Sequence, residues 1–105
     1  MVTPFYFSKI GKRKEGLQAV AKDGKIGFLD NLGRIAIPFK FDEDYSLGIP
    51  FIFQDGISIV YLNGKYGFID KDGNTVAPFK YEAVSYFKNK IAIVFKDGIW
   101  EQINF

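Results

Sequence analysis

Asp30 and Asp70 are the residues to question first for chemistry, because two carboxylates can divide acid–base work between them. Each opens a four-residue turn, DNLG (30–33) and DKDG (70–73). An Asp at that place is expected to accept hydrogen bonds from nearby backbone N–H groups, so turn chemistry is the stronger reading. DKDGN (70–74) also has the look of a calcium loop. An EF-hand loop closes with a bidentate Glu, and none stands at the required spacing. DNLGR, at the matching position of the other copy, lacks the second Asp. The chain has no His and no Cys. That removes the commonest general base, the usual zinc ligand, the Ser-His-Asp arrangement and thiolate nucleophiles together. No phosphate loop, nucleophile elbow or dinucleotide fingerprint is present. The sequence reads as that of a non-enzyme, with no cofactor and no metal.

Binding is the remaining class. KIGKRK (9–14) sets four cations in six residues, but net charge is only +2, so nucleic acid is not the expected partner. That stretch reads as a solvated loop between repeat segments. The most individual stretch is DEDYSLGIPFIFQDG (42–56). Sixteen residues separate Phe41 from Ile57, against ten from Tyr81 to Ile91, so six have been added. They bring an acidic triplet, Asp42, Glu43 and Asp44, beside Tyr45, Phe51 and Phe53. Aromatics next to charges resemble interface anchors with a polar rim, and insertions are where a repeated scaffold carries function. The other reading makes the stretch an extra strand or plug that completes the core. On the binding reading, Asp42, Glu43, Asp44, Tyr45, Phe51 and Phe53 are the partner-contacting residues, and the partner is another protein.

A repeat must position these residues. DGKIGFLDNLGRIAIPFKF (23–41) and NGKYGFIDKDGNTVAPFKY (63–81) are identical at nine of nineteen positions. EGLQAVAKDG (15–24), DGISIVYLNG (55–64) and NKIAIVFKDG (89–98) align without gaps, and PFYF (4–7) lies as far before Leu17 as PFKY (78–81) lies before Ile91. The chain therefore divides into a partial repeat (1–24), repeats 25–64 and 65–98, and a terminal strand (99–105), all in one domain of 105 residues. Within a unit, an Ile/Val-rich strand A leads through Asp-Gly or Asn-Gly to strand B. Those dipeptides suit a type I′ turn, whose central residues need positive φ. A second turn ending in Gly33 or Gly73 leads to strand C, which Pro38 or Pro78 is expected to stop. Gly27 and Gly67 interrupt strand B, where an aromatic ring is expected to lie over each. Residues 81–87 are too short and too β-branched for a helix.

Both sides of the strands carry apolar residues, so neither is plainly solvent-facing. Twelve Phe, six Tyr and one Trp must fill the core. The expected fold is all-β: an antiparallel hairpin-repeat sheet of about eight or nine strands, strongly curved or closed into a small barrel or cone, which would remove its edges. Residues 99–103 are expected to pair near the N-terminal segment to close it. There is no apolar run of signal-peptide or membrane-spanning length, which points to a cytoplasmic protein.

The pattern GK-x-GF-[IL]-D-x-x-G-x-x-x-x-PFK-[FY] resembles the bacterial WG-repeat (KWG) proteins over about residues 15–105. The signature Trp is Ile26 in one copy and Tyr66 in the other. It survives only as Trp100, where Glu101 replaces the following Gly. The resemblance implies a β-rich repeat module used in binding, without catalytic residues to carry over. Two functions follow as expectations: a protein-binding module, for example an inhibitor or immunity-type protein covering a partner's active site, or a small-ligand module for glycan or cell-wall fragments.

Overall fold

The computed structural model describes residues 9–43 and 52–105, and over these the chain is all β, with ten strands. They are β1 (Lys9–Lys14), β2 (Leu17–Lys22), β3 (Lys25–Leu29), β4 (Ile35–Asp42), β5 (Ile57–Leu62), β6 (Lys65–Asp70), β7 (Thr75–Tyr81), β8 (Ala83–Lys88), β9 (Ile91–Lys96) and β10 (Ile99–Asn104). They form three antiparallel sheets in the orders β1-β2-β3-β4, β5-β6-β7 and β8-β9-β10.

The turns follow from the dipeptides. Asp23-Gly24, Asn63-Gly64 and Asp97-Gly98 all have positive φ at both residues, as a type I′ turn requires. The same geometry recurs at Glu15-Gly16, Asp55-Gly56 and Asn89-Lys90, one strand earlier in each unit. KIGKRK is therefore an edge strand rather than a loop, and AVSYFK (83–88) is its counterpart in the third sheet. In the second sheet the corresponding chain enters through Gln54, which bridges Ile57. Asp30 and Asp70 hold the other turns. The Asp30 Oδ1 accepts from the N–H groups of Leu32 and Arg34 at 2.9 and 3.0 Å, and the Asp70 Oδ1 from those of Asp72 and Asn74 at 2.9 Å each.

Strand C does not stop at its proline. β4 and β7 run through Pro38 and Pro78, because the ladder is interrupted there. Ile26 pairs with Phe41 and Phe28 with Ile37, which leaves Pro38, Phe39 and Lys40 opposite Gly27 alone. Tyr66 pairs with Tyr81 and Phe68 with Ala77, leaving Pro78, Phe79 and Lys80 opposite Gly67. A bulge asks no ladder hydrogen bond of the proline.

The sheets are neither closed nor strongly curled, contrary to the barrel or cone expected. Among the described residues β10 pairs as a strand with β9 alone and β1 with β2 alone, so residues 99–103 close nothing there. Residues 1–8 lie outside the described residues. The two apolar faces have another cause: the sheets pack against each other in series, in a body of 46 × 25 × 20 Å. One core joins Ile26, Phe28, Ile37 and Phe41 of the first sheet to Val60 and Ile69 of the second. Another joins Ile59, Tyr66, Phe68 and Tyr81 of the second sheet to Val84, Ala92 and Val94 of the third. The middle sheet thus buries both sides. Each large side chain removed from water contributes roughly 1.5–3 kcal/mol, so two shared cores replace the single enclosed interior.

Candidate binding surface

The acidic-aromatic insertion does not assemble as a site among the described residues. Asp44, Tyr45 and Phe51 lie outside them. Phe53 is fully buried, with its ring edge-on to Phe28 at 5.1 Å between centroids. It fills the first core, as the plug reading of the insertion has it. Glu43 is half-buried at the end of the described stretch.

Asp42 is a structural tie. Its carboxylate pairs with the Lys25 ammonium on the neighbouring strand and accepts from the Asn63 N–H at 2.9 Å, in a turn of the next sheet. The hydrogen bond from Lys25, then that from Asn63, hold the Asp42 carboxyl below the usual carboxylate range. Glu82, which follows PFKY as Asp42 follows PFKF, does the same one sheet on, accepting from the Asp97 N–H at 2.8 Å. Glu15 accepts from the N–H groups of Asp55 and Gly56 at 2.7 and 2.8 Å. Glu15 and Asp42 thereby fasten the first sheet to two hairpin turns of the second, and Glu82 fastens the second to a hairpin turn of the third. Asp30 is committed to its own turn. The Arg34 N–H, then that of Leu32, with the Arg34 guanidinium beside them, keep its carboxyl low. On β1, Arg13 is spent on the Gln18 and Asn31 side chains at 3.0 and 3.3 Å.

Among the described residues, a different surface is left uncovered. The period of two places Ile91, Ile93 and Phe95 of β9 on one face, with Trp100 and Gln102 of β10 beside Phe95 and Ile93. In the second sheet the matching residues are Ile57, Ile59, Tyr61, Tyr66 and Phe68, which pack onto the third sheet. The third sheet turns its other side, Val84, Ala92 and Val94, into that core. Among the described residues, no sheet lies on its forward face. Trp100 is 51% exposed where Ile26 and Tyr66 are 9% and 4%. Its ring leans on Phe95 at 4.9 Å between centroids, tilted by 50°. Tyr86 stands exposed opposite Ile93. Gln102 replaces Phe28 and Phe68 and donates to Asn104 at 3.1 Å, which gives the patch a polar border. Reading strands B in register, as the sequence already allowed, singles out Trp100 and Gln102. What the sequence did not show was which face remained open.

Among the described residues, no three acidic side chains lie where they could hold a metal ion, and no helix is long and apolar enough to cross a membrane. No curated protein and no solved structure matches the chain. A family model described as a WG-containing repeat matches twice, over residues 26–66 and 66–100. The two matches together span β3 to the start of β10, with the doubled turn, bulge and glycine on which the stacked sheets depend. The chain belongs to the family of WG-containing repeat proteins.

Proposed function

We propose that this domain is a non-catalytic protein-binding module whose partner seats on the forward face of the third sheet. The observation that carries the reading is the exposure of Trp100 at a position that is buried in both other sheets. An apolar face with a large exposed aromatic and amides at its border has the make-up of an interface core and rim. The form of partner we favour is an enzyme or toxin whose active site the domain covers, as an inhibitor or immunity-type protein would.

The test is capture of a stoichiometric partner by the immobilised domain, repeated with Trp100→Ala, and assay of the captured protein's activity with and without the domain. The reading expects retention by the wild type, loss of at least tenfold in affinity with the variant, and inhibition. Equal retention by Trp100→Ala removes this face from the interface. A second reading draws on the same indole: an exposed tryptophan face stacks on a sugar ring, so glycan or cell-wall fragments are the alternative ligand. A thermal shift with such fragments that Trp100→Ala abolishes would favour it.

A further inference from the structure

Among the described residues, no strand pairs with the outer edge of β10, strand B of the third sheet. In the first two sheets the same edge, on β3 and β6, is covered by a strand C with its Pro-Phe bulge. The bulge works because strand B carries glycine there. A β-carbon on Gly67 would lie 2.8 Å from two ring carbons of Phe79, and one on Gly27 would lie 2.9 Å from the Ile37 carbonyl oxygen and 3.1 Å from the Phe39 ring. On β10 the matching residue is Glu101, exposed and pointing to the side of the sheet that the Phe79 ring occupies on β6. The Phe79 ring stacks on Phe41 of the preceding sheet at 6.1 Å. The residue that corresponds to Phe41 for the third sheet is Tyr81. Burial and then the Glu101 carboxylate raise the Tyr81 hydroxyl above its ordinary value, so the two groups feel each other across this side of the sheet.

The sequence carries the strand C pattern once more. TPFYF (3–7) matches APFKY (77–81), and Pro4 precedes β1 by as many residues as Pro78 precedes β8. Laid on β10 in the register of the other sheets, Phe5 falls over residue 101 and Phe7 beside Trp100.

We propose that Glu101 closes the β10 edge to bulged Pro-Phe strands, and in particular to residues 1–7 of a second copy, so that copies of this chain do not join head to tail. The block is steric, because any β-carbon at position 101 fills the space the phenylalanine ring needs. Charge adds the burial of a carboxylate beside Tyr81. Without the block the contact would be heterologous, joining β10 of one copy to residues 1–7 of another, and such contacts extend into chains rather than closing.

The experiment is sedimentation of the full chain from micromolar to millimolar concentration as wild type, Glu101→Ala, Glu101→Gly and Glu101→Gly with Phe5→Ala. Wild type and Glu101→Ala should stay monomeric. Glu101→Gly should rise to at least twice the monomer mass at high concentration, and adding Phe5→Ala should restore the monomer. A second reading uses fluorescence of Trp100, the single tryptophan. A synthetic peptide of residues 74–81 should shift its emission to the blue in Glu101→Gly and not in the wild type, whatever the variant's own association. A monomeric Glu101→Gly that ignores the peptide overturns the proposal. So does a wild type that associates through Phe5. A Glu101→Ala that associates as strongly as Glu101→Gly overturns the steric account.

Discussion

The ring of Phe79 lies across Gly67 so closely that a β-carbon there would sit 2.8 Å from two of its carbons. Neither glycine of the pair Gly27 and Gly67 needs positive φ, so their requirement is space and not backbone conformation. Gly67→Ala should therefore destabilise the fold by about 1–3 kcal/mol through overpacking, against the small gain that Ala brings to a strand. Phe79→Ala alone should also destabilise, because it empties the stacking position on Phe41. The double variant should cost clearly less than the sum of the two, since removing the ring relieves the clash. Urea unfolding of the four proteins measures this. Strict additivity would mean that the ring and the glycine are not coupled.

Phe53 decides between the two readings of the insertion. It is fully buried against Phe28, so Phe53→Ala should lower stability by roughly 3–5 kcal/mol, and Phe53→Leu by markedly less. A loss below about 1 kcal/mol for the alanine variant would be the value of a surface residue and would remove Phe53 from the core.

Asp42 ties stability to pH. Its carboxyl is held below the ordinary value of 3.8 by Lys25 and the Asn63 N–H. A carboxyl depressed on folding contributes stability that is complete above its unfolded value and disappears as pH falls through the folded one. Asp42→Asn should therefore lose about 0.5–1.5 kcal/mol near neutral pH and show a shallower fall of stability as pH drops below about 4. Parallel acid titrations of wild type and variant, followed by urea midpoints, measure the difference. Curves of identical slope would mean that the carboxylate does not act through its charge.

Much of this fold was legible from local rules. A type I′ turn needs only its own two residues, so Asp-Gly and Asn-Gly announced three hairpins. The ring over each strand glycine followed from the repetition of Gly27 and Gly67. The aligned pairs Glu15-Gly16, Asp55-Gly56 and Asn89-Lys90 carried the remaining hairpins, but Lys90 broke the glycine pattern and the basic run 9–14 disguised an edge strand. The closed interior was misread for a definite reason. Alternation shows that both faces of a strand are apolar, and a curled sheet and a stack of flat ones satisfy that equally well. The acidic triplet was ambiguous in the same way. A carboxylate at an interface and one that caps a turn of the next sheet have the same composition, and at Asp42 the bond from the Asn63 N–H separates them. The uncovered face depends on what stacks where, which no single window of sequence contains.

Lys90 supplies a further test of the turn chemistry. It has φ of 62° at a position where the five other two-residue turns place glycine. A side chain in the left-handed region costs about 1–2 kcal/mol, and glycine returns some of that by loosening the unfolded chain, about 0.4–1 kcal/mol. Lys90→Gly should therefore stabilise the protein by roughly 0.5–1 kcal/mol, which for a domain of this size is a rise of a few degrees in Tm, by scanning calorimetry. The backbone carbonyl of residue 90 keeps its bond from the Phe105 N–H at 2.8 Å, so the substitution takes nothing from the contact that holds the last residue. An unchanged or lowered Tm would mean that the Lys90 side chain stabilises the third sheet in a way that outweighs its strained backbone.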